Sequence, residues 1–208
     1  MLHELKALIG SPVIATDGRI GSIRTFLFDD ETWMVRYLVV DVGGWLKRRE
    51  VVIAIAALTQ PNWTDKTFNV QLTKQQIESS PDIDAEKPVS LQQEIAMREY
   101  WGPLAYWVDN ELGGSSLPAG MEYPPDSKAD HHLRSTWELL SYEVWAADGE
   151  IGRLEGFVLD EMSWHLGFLD VKAGEWLNER SVLIPTRLAA SISWGDRRVN
   201  LESSRRQI

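Results

Sequence analysis

Cysteine is absent from this 208-residue chain, which excludes disulfide bonds and thiolate metal sites. Long apolar runs are absent too, since no stretch approaches the roughly 18 residues that a membrane-spanning helix needs. The N-terminal stretch carries Glu4 and Lys6 among its apolar residues, which disfavours a signal peptide. We therefore expect a cytoplasmic protein that does not insert into a membrane.

Positive charge is scarce. The chain has 21 lysines and arginines against 31 aspartates and glutamates, a formal net charge of −10. This balance weakens binding to nucleic-acid phosphates and to anionic membrane surfaces. The basic clusters at 47–49, 197–198 and 205–206 are interpreted as solvated turns or termini. We expect no direct contact with nucleic acid.

Signatures of catalysis and of metal binding are also missing. No G-x-S-x-G nucleophile motif occurs. The alternating acidic residues in 82–86 lack the glycine and the final glutamate of a calcium loop. His131 and His132 are adjacent and point in different directions in most backbones, which disfavours a shared metal. We expect no catalytic residues, no metal and no organic cofactor, and hence a protein that is not an enzyme.

The sequence does contain a repeat of itself. A shift of 131 residues aligns 8–77 with 139–208 without a gap, and 23 of the 70 positions are identical. Chance would give about one position in fifteen. Two copies are too few for a solenoid. We expect two small domains, at 5–78 and 135–208.

A linker, 79–134, joins the predicted domains. It is rich in proline and contains the aromatic stretch "YWGPLAYW". Ser90 as N-cap and Gln93 three residues later predict a short helix near 90–100. The linker is expected to pack across a domain; a patch for a partner protein is the alternative interpretation.

Each copy has the pattern of short β-strands separated by turns. Asp17-Gly18 and its counterpart Asp148-Gly149 predict hairpins with a type I′ turn. The second glycine of the motif, Gly21, fits a bulge or a close backbone approach. A second turn is expected near 29–31, where aspartate caps its own backbone. These signals favour an all-β fold with two tandem small barrels.

The longest predicted strand, 33–42, has two distinct faces. Leu38, Val40 and Val42 are assigned to the core by alternation. The opposite face needs a cover, because large aromatic side chains favour burial. This face and the linker aromatics form the candidate interface: Trp33, Tyr37, Val39, Tyr100, Trp101, Tyr106, Trp107, Trp164 and Phe168.

The cover for this face is predicted to be the linker, the other domain or a second chain. A symmetric homodimer through it is our preferred expectation. Asp170 replaces Val39 in the second copy, so the face should be more deeply covered in the first copy.

The ordered elements "DGRIG", "FLFDD" and "VRYLVVDVGGWL", followed by another apolar strand, resemble the PRC-barrel family. That family includes the cytoplasmic domain of the photosynthetic reaction-centre H subunit and the C-terminal domain of a ribosome maturation factor. The whole chain is most similar to bacterial proteins with two PRC barrels. The resemblance implies a small β-barrel that binds other macromolecules and has no shared catalytic residues.

Three functions follow from these observations. The favoured one is a non-enzymatic protein-binding or scaffold module with an unidentified protein partner; the resemblance implies a soluble relative of the H subunit, linked to photosynthetic electron transfer. The second is a ribosome-assembly or RNA-processing factor, which the acidic charge disfavours. The third is an enzyme with a cleft between the barrels, which a carboxylate of strongly perturbed pKa would support.

Overall fold

The protein folds into two β-sheets, one from each copy of the repeat. The computed structural model describes residues 1–43, 49–59, 61–80, 100, 133–174 and 180–208. We call 2–80 repeat one and 133–208 repeat two. The fold is all-β with short helices, as the sequence predicts.

Six strands and one helix form repeat one within the described residues. They are β1 (Leu2–Glu4), β2 (Pro12–Ala15), β3 (Gly18–Asp29), β4 (Val35–Asp41), β5 (Glu50–Ala54), β6 (Phe68–Asn69) and α1 (Lys74–Glu78). Single 3-10 turns occur at Leu5–Leu8 and Ile55–Ala57.

Repeat two follows the same order, with one additional strand before the last, a short helix in place of the first 3-10 turn and a 3-10 turn in place of the final helix. Its elements are β7 (Leu133–Ser135), α2 (Thr136–Leu139), β8 (Glu143–Ala146), β9 (Gly149–Asp160), β10 (Leu166–Ala173), β11 (Arg180–Pro185), β12 (Ala189–Ser193) and β13 (Arg198–Leu201). Its 3-10 turns lie at Thr186–Leu188 and Arg205–Gln207. Most elements start 131 residues after their counterparts, including β7 after β1, so the structural repeat begins earlier than the aligned sequences.

The two sheets share one topology, except that repeat two has an additional strand, β12, at one end. The strand order is β5-β4-β3-β2-β6 in repeat one and β11-β10-β9-β8-β13-β12 in repeat two. Neighbours pair antiparallel except β2 with β6 and β8 with β13, which are parallel. The antiparallel pattern expected from the sequence is therefore interrupted once in each repeat.

The repeats exchange their first strands. Strand β1 pairs with β9 of repeat two, with Leu2 opposite Asp160. Strand β7 pairs with β3 of repeat one, with Leu133 opposite Asp29. Asp160 lies 131 residues after Asp29, and Leu133 lies 131 residues after Leu2, so the two pairings are equivalent and the exchange is reciprocal. The two halves are thus related like the subunits of a two-fold dimer.

At the centre of this junction, equivalent residues of the two repeats also exchange backbone hydrogen bonds. The Val35 amide donates to the Trp164 carbonyl, and the Leu166 amide donates to the Trp33 carbonyl, both at 2.9 Å. Met34 and His165 form a bridge between these bonds. The pseudo-two-fold axis therefore passes through the turns that follow β3 and β9.

The turn containing Asp17 differs from the type I′ turn expected from the sequence. Ala15 pairs with Gly18, so Thr16 and Asp17 are the turn residues, and neither has positive φ. Gly18 itself has φ of 120° and follows the turn. The Asp17 carboxylate instead accepts a hydrogen bond from the backbone amide of Lys74, at 2.9 Å, and ties the hairpin to the start of α1.

Repeat two reproduces this tie, and the Asp148 carboxylate accepts from the Arg205 amide at 2.7 Å. The close backbone approach predicted for the second glycine is confirmed in both repeats. A Cβ on Gly21 would lie 2.1 Å from the Asp41 carbonyl oxygen, and one on Gly152 would lie 2.0 Å from that of Lys172.

The strand after the second turn is shorter than predicted. Strand β4 starts at Val35, and Trp33 lies in the turn with φ of 58°, so alternation does not set its orientation. Val35 to Val40 are all buried, and Val42 is only partly buried. Both faces of β4 are therefore core, which corrects the division into a core face and an outer face.

The second turn has the predicted aspartate cap. The Asp29 carboxylate accepts from the Thr32 amide at 2.8 Å, and the Asp160 carboxylate accepts from the Met162 amide at 2.8 Å. The predicted helix near 90–100, apart from the helical residue Tyr100, lies outside the described residues, as do the acidic run 82–86 and His131-His132.

No helix within the described ranges has the length and apolar character needed to cross a membrane. The same ranges contain no group of three or more His, Cys, Asp or Glu side chains placed to hold a metal ion.

Candidate interaction site at the junction of the two repeats

Aromatic side chains from both repeats pack together at the junction. Trp164 of repeat two lies 5.5 Å from Trp63 and 6.5 Å from Phe68, measured between ring centroids. Phe28 of repeat one lies 6.0 Å from Phe157 of repeat two. The two halves therefore share one core, in which aromatic contacts add to apolar burial.

A bridge on strand β1 secures one side of this junction. The His3 ring stacks on Trp63, with centroids 4.5 Å apart. Its Nε2 lies 2.7 Å from the Glu161 carboxylate of repeat two. The hydrogen bond with His3, together with the N-terminal ammonium, holds the pKa of Glu161 below its ordinary value.

Repeat two has a matching bridge on β7. Arg134 occupies the position equivalent to His3, and its guanidinium lies 4.1 Å from the ring centroid of Trp194. The same guanidinium lies 3.6 Å from the carboxylate of Asp30, in repeat one. Each exchanged strand thus places a nitrogen-bearing side chain between a tryptophan of its own repeat and a carboxylate of the other.

A groove opens where the segments after β1 and β7 meet. It encloses about 230 Å³ and we call it the junction groove. Its lining residues, taken from both repeats, are Leu5, Lys6, Ile9, Thr25, Thr136, Trp137, Leu140, Glu155, Gly156 and Phe157. Most of these are apolar, which suits the binding of an apolar side chain.

Two of the large apolar lining side chains face the solvent. Trp137 is 53% exposed and Ile9 is 40% exposed, although their neighbours Leu5 and Phe157 are buried. The Thr25 hydroxyl lies 3.1 Å from that of Ser135, just before α2, and so fixes the start of the helix that carries Trp137. The exposed Trp137 therefore lies in the first turn of a helix whose start is held by a hydrogen bond to repeat one.

Charged groups at the rim of the junction groove are paired with each other. The Lys6 ammonium lies 3.4 Å from the Asp170 carboxylate, and this hydrogen bond raises the pKa of Lys6. The Arg24 guanidinium lies 5.3 Å from the ring centroid of Trp137. The groove thus presents an apolar floor with a rim of compensated charge, the pattern of a protein-binding patch.

Four of the nine residues of the predicted candidate interface are internal. Trp33, Trp164, Tyr37 and Val39 are buried within one chain, whereas Phe168 is partly buried. Trp164 is covered by Trp63 and Phe68 of the other repeat, whereas Trp33 stacks on Phe28 of its own repeat. The four buried side chains are not available to the homodimer expected at this face, and the homodimer itself stays a prediction.

The deeper cover expected for repeat one is confirmed, because Tyr37 and Val39 are buried whereas Phe168 and Asp170 are only partly buried. Tyr100 is exposed, and its hydroxyl donates to the Gln76 carbonyl.

The other linker aromatics of the candidate interface lie outside the described residues: Trp101, Tyr106 and Trp107.

The sequence interpretation missed the residues of the junction groove. Ile9 and Trp137 lie in segments that are short and have no clear periodicity. A signal was nevertheless present: when the repeat is extended back to residue 2, Trp137 aligns with Lys6. Tryptophan is a residue type that is enriched at binding hot spots.

The comparisons with known proteins agree with the fold. Residues 2–76 match the PRC-barrel domain family. The match runs from β1 into α1, so this part of the chain is a PRC-barrel domain. An uncharacterized protein of Deinococcus radiodurans is 38% identical over 48 residues, which make up 23% of this chain and 18% of that relative.

Proposed function

We propose that the chain is a non-enzymatic module that binds a partner protein through the junction groove, with repeat two as a second, divergent PRC barrel. The observation that carries this proposal is the exposed Trp137 beside Ile9 on an otherwise well-packed junction. Tryptophan is strongly enriched at binding hot spots because it buries a large area on association. A chain of two small barrels with a shared core offers a rigid platform for such a contact.

The chemistry of the groove favours binding over catalysis. Its floor is apolar, and its charged rim groups are neutralised by partners, as Lys6 is by Asp170. A general acid or base works best with a pKa tuned toward neutrality and a free path to a substrate. The relation to the reaction-centre H subunit remains a prediction from family resemblance, and the test below does not depend on it.

The test compares wild-type and Trp137→Ser protein as affinity baits in native lysate of the source organism, with captured proteins quantified by mass spectrometry. A partner of the groove should fall at least about tenfold in the variant, since loss of a hot-spot side chain costs 2 kcal/mol or more. Met162→Ser is the matched control, because Met162 is exposed on a turn away from the groove.

Equal capture by wild type and the Trp137 variant would refute a role for the groove. Thermal melting of both variants checks that the fold is intact, since both side chains are exposed in the free protein.

A further inference from the structure

A second concave surface lies on repeat two, beside its terminal strand β11. This cleft encloses about 900 Å³. Its walls are the hairpin at 150–152, the strand from Arg180 to Leu183, and the C-terminal residues Arg205 and Ile208. We call it the β11 cleft; it shares no lining residue with the junction groove.

The β11 cleft exposes apolar side chains and an unpaired cation. Leu183 is 53% exposed and Ile208 is 38% exposed. The Arg180 side chain is exposed and, within the described part of the chain, its guanidinium forms no hydrogen bond or ion pair. Large apolar side chains grouped with a free guanidinium indicate a binding surface more than a solvated edge.

In repeat one, the apolar side chains equivalent to the exposed ones of the β11 cleft are covered. Val52 and Ile77, the counterparts of Leu183 and Ile208, are both 0% exposed. Arg49, the counterpart of Arg180, donates a hydrogen bond to the backbone carbonyl of Glu78. In repeat one, the polypeptide that follows Ile77 therefore supplies the acceptor for this arginine.

The surrounding framework is equivalent in both repeats. A capping box formed by Thr73 and Gln76 starts α1, and Ser204 with Gln207 forms the same box at the last 3-10 turn. The turn aspartates hold both starts through backbone amides, as described above. The surrounding fold is therefore equivalent, but Val52 on β5 is covered whereas Leu183 on β11 is exposed.

From this internal comparison we propose that the β11 cleft binds an extended peptide segment of a partner protein. The segment presents an apolar side chain to Leu183 and Ile208 and an adjacent carboxylate to Arg180. A carboxylate is favoured because charge-assisted bonds to a guanidinium are stronger than those to a neutral carbonyl. The cleft volume is ample for a few residues.

The experiment selects peptides from a phage-displayed random dodecapeptide library on the immobilised 208-residue protein. Enriched sequences are synthesised with a fluorescein label, and their dissociation constants are measured by fluorescence anisotropy. We expect peptides that combine an apolar residue with a neighbouring Asp or Glu. Their affinity should fall at least about tenfold for Arg180→Glu and for Leu183→Thr, the effect of one strong contact.

Two variants serve as controls. Arg187→Glu makes the same charge change at an exposed position outside the cleft and should leave the affinity unchanged. Trp137→Ser should also leave it unchanged, which separates failure of this proposal from failure of the junction groove. Melting temperatures of all variants should match the wild type, since the altered side chains are exposed.

The proposal is overturned if selection enriches no sequence, or if enriched peptides bind Arg180→Glu and Leu183→Thr as tightly as wild type. Sedimentation at tens of micromolar tests another occupant. A dimer that Leu183→Thr dissociates would assign the cleft to a second copy of the chain and would also overturn a foreign partner.

Discussion

Two glycines show how a single missing methyl group permits the fold. A Cβ on Gly21 would collide with the main-chain carbonyl of Asp41, which belongs to the neighbouring strand and has little freedom to move. We predict that Gly21→Ala lowers the free energy of unfolding by roughly 1–3 kcal/mol through overpacking. Urea denaturation measures the change.

Gly152→Ala should have a similar cost, because its Cβ would collide with the Lys172 carbonyl. Gly195→Ala is the matched control, since a Cβ there meets nothing within 4 Å. Equal stability of Gly21→Ala, Gly195→Ala and wild type would contradict the close approach.

Glu138 has a partly buried carboxyl group, an environment that disfavours its ionised form. Burial raises the pKa of Glu138, and the nearby Arg134 only partly opposes this effect. Its Oε2 is buried and has no hydrogen-bond partner in the described part of the chain. A folded-state pKa above the unfolded value means that ionised Glu138 destabilises the fold, fully above the folded pKa and not at all below the unfolded value near 4.3.

We therefore predict that Glu138→Gln increases the free energy of unfolding at pH 7, and that this gain shrinks as the pH falls toward 4. Urea denaturation across this range measures it. Glu150→Gln, at an exposed position, should change stability little at any pH. A gain for Glu138→Gln that is constant with pH would show that ionisation is not its cause.

At the scale of single elements, the short strand β1 stabilises the junction of the two repeats through His3. The imidazole both stacks on Trp63 and bonds Glu161, so His3→Ala removes two contacts across the junction. We predict a loss of about 1–2 kcal/mol in the free energy of unfolding, the sum of one stacking and one net hydrogen-bond contribution.

Repeat two provides the matched variant. Arg134 holds the equivalent place, so His3→Arg should place a guanidinium over the tryptophan and keep a partner for the carboxylate. We expect it to recover most of the stability lost in His3→Ala when both are unfolded in urea at pH 7. If His3→Arg is as unstable as His3→Ala, the two bridges are not equivalent.

The strands could be located from the sequence because local signals determine them. The repeated Asp-Gly and the β-branched runs predict β2, β3, β4 and their counterparts. The features that could not be predicted are contacts between residues that are far apart in the sequence. The three residues of β1 carry no signal of the sheet that they join, and Asp17 acts on Lys74, which is 57 residues away.

Residue alternation does not predict side-chain orientation where the backbone leaves the extended conformation. The sequence predicts a strand residue at position 33, but the positive φ of Trp33 places it in the turn. The alternation of β4 predicted an outer face, and the structure buries that face in repeat one. The surface that we propose for binding therefore lies elsewhere, on the segments that follow β1 and β7.

At the scale of the whole molecule, the shared junction predicts cooperative unfolding. Each repeat contributes a strand to the sheet of the other, and Trp164 packs on Trp63 and Phe68 of repeat one. We predict a single calorimetric transition, with van't Hoff and calorimetric enthalpies equal.

Trp164→Ala should lower the stability of both halves together by about 3–5 kcal/mol, the usual cost of truncating a buried tryptophan. Trp145→Ala, which removes contacts within repeat two alone, is the comparison. Two separate transitions, with only one shifted by Trp164→Ala, would show that the repeats fold independently.

The reciprocal exchange of β1 and β7 has a consequence for how such a protein changes over generations. In a dimer of identical subunits, every inherited substitution appears at two places and must be tolerated at both. Here the twin positions are encoded separately. One bridge can use histidine and the other arginine, and Val52 can be buried while its counterpart Leu183 is exposed. Substitutions at one cleft therefore need not disturb the contacts that hold the two halves together.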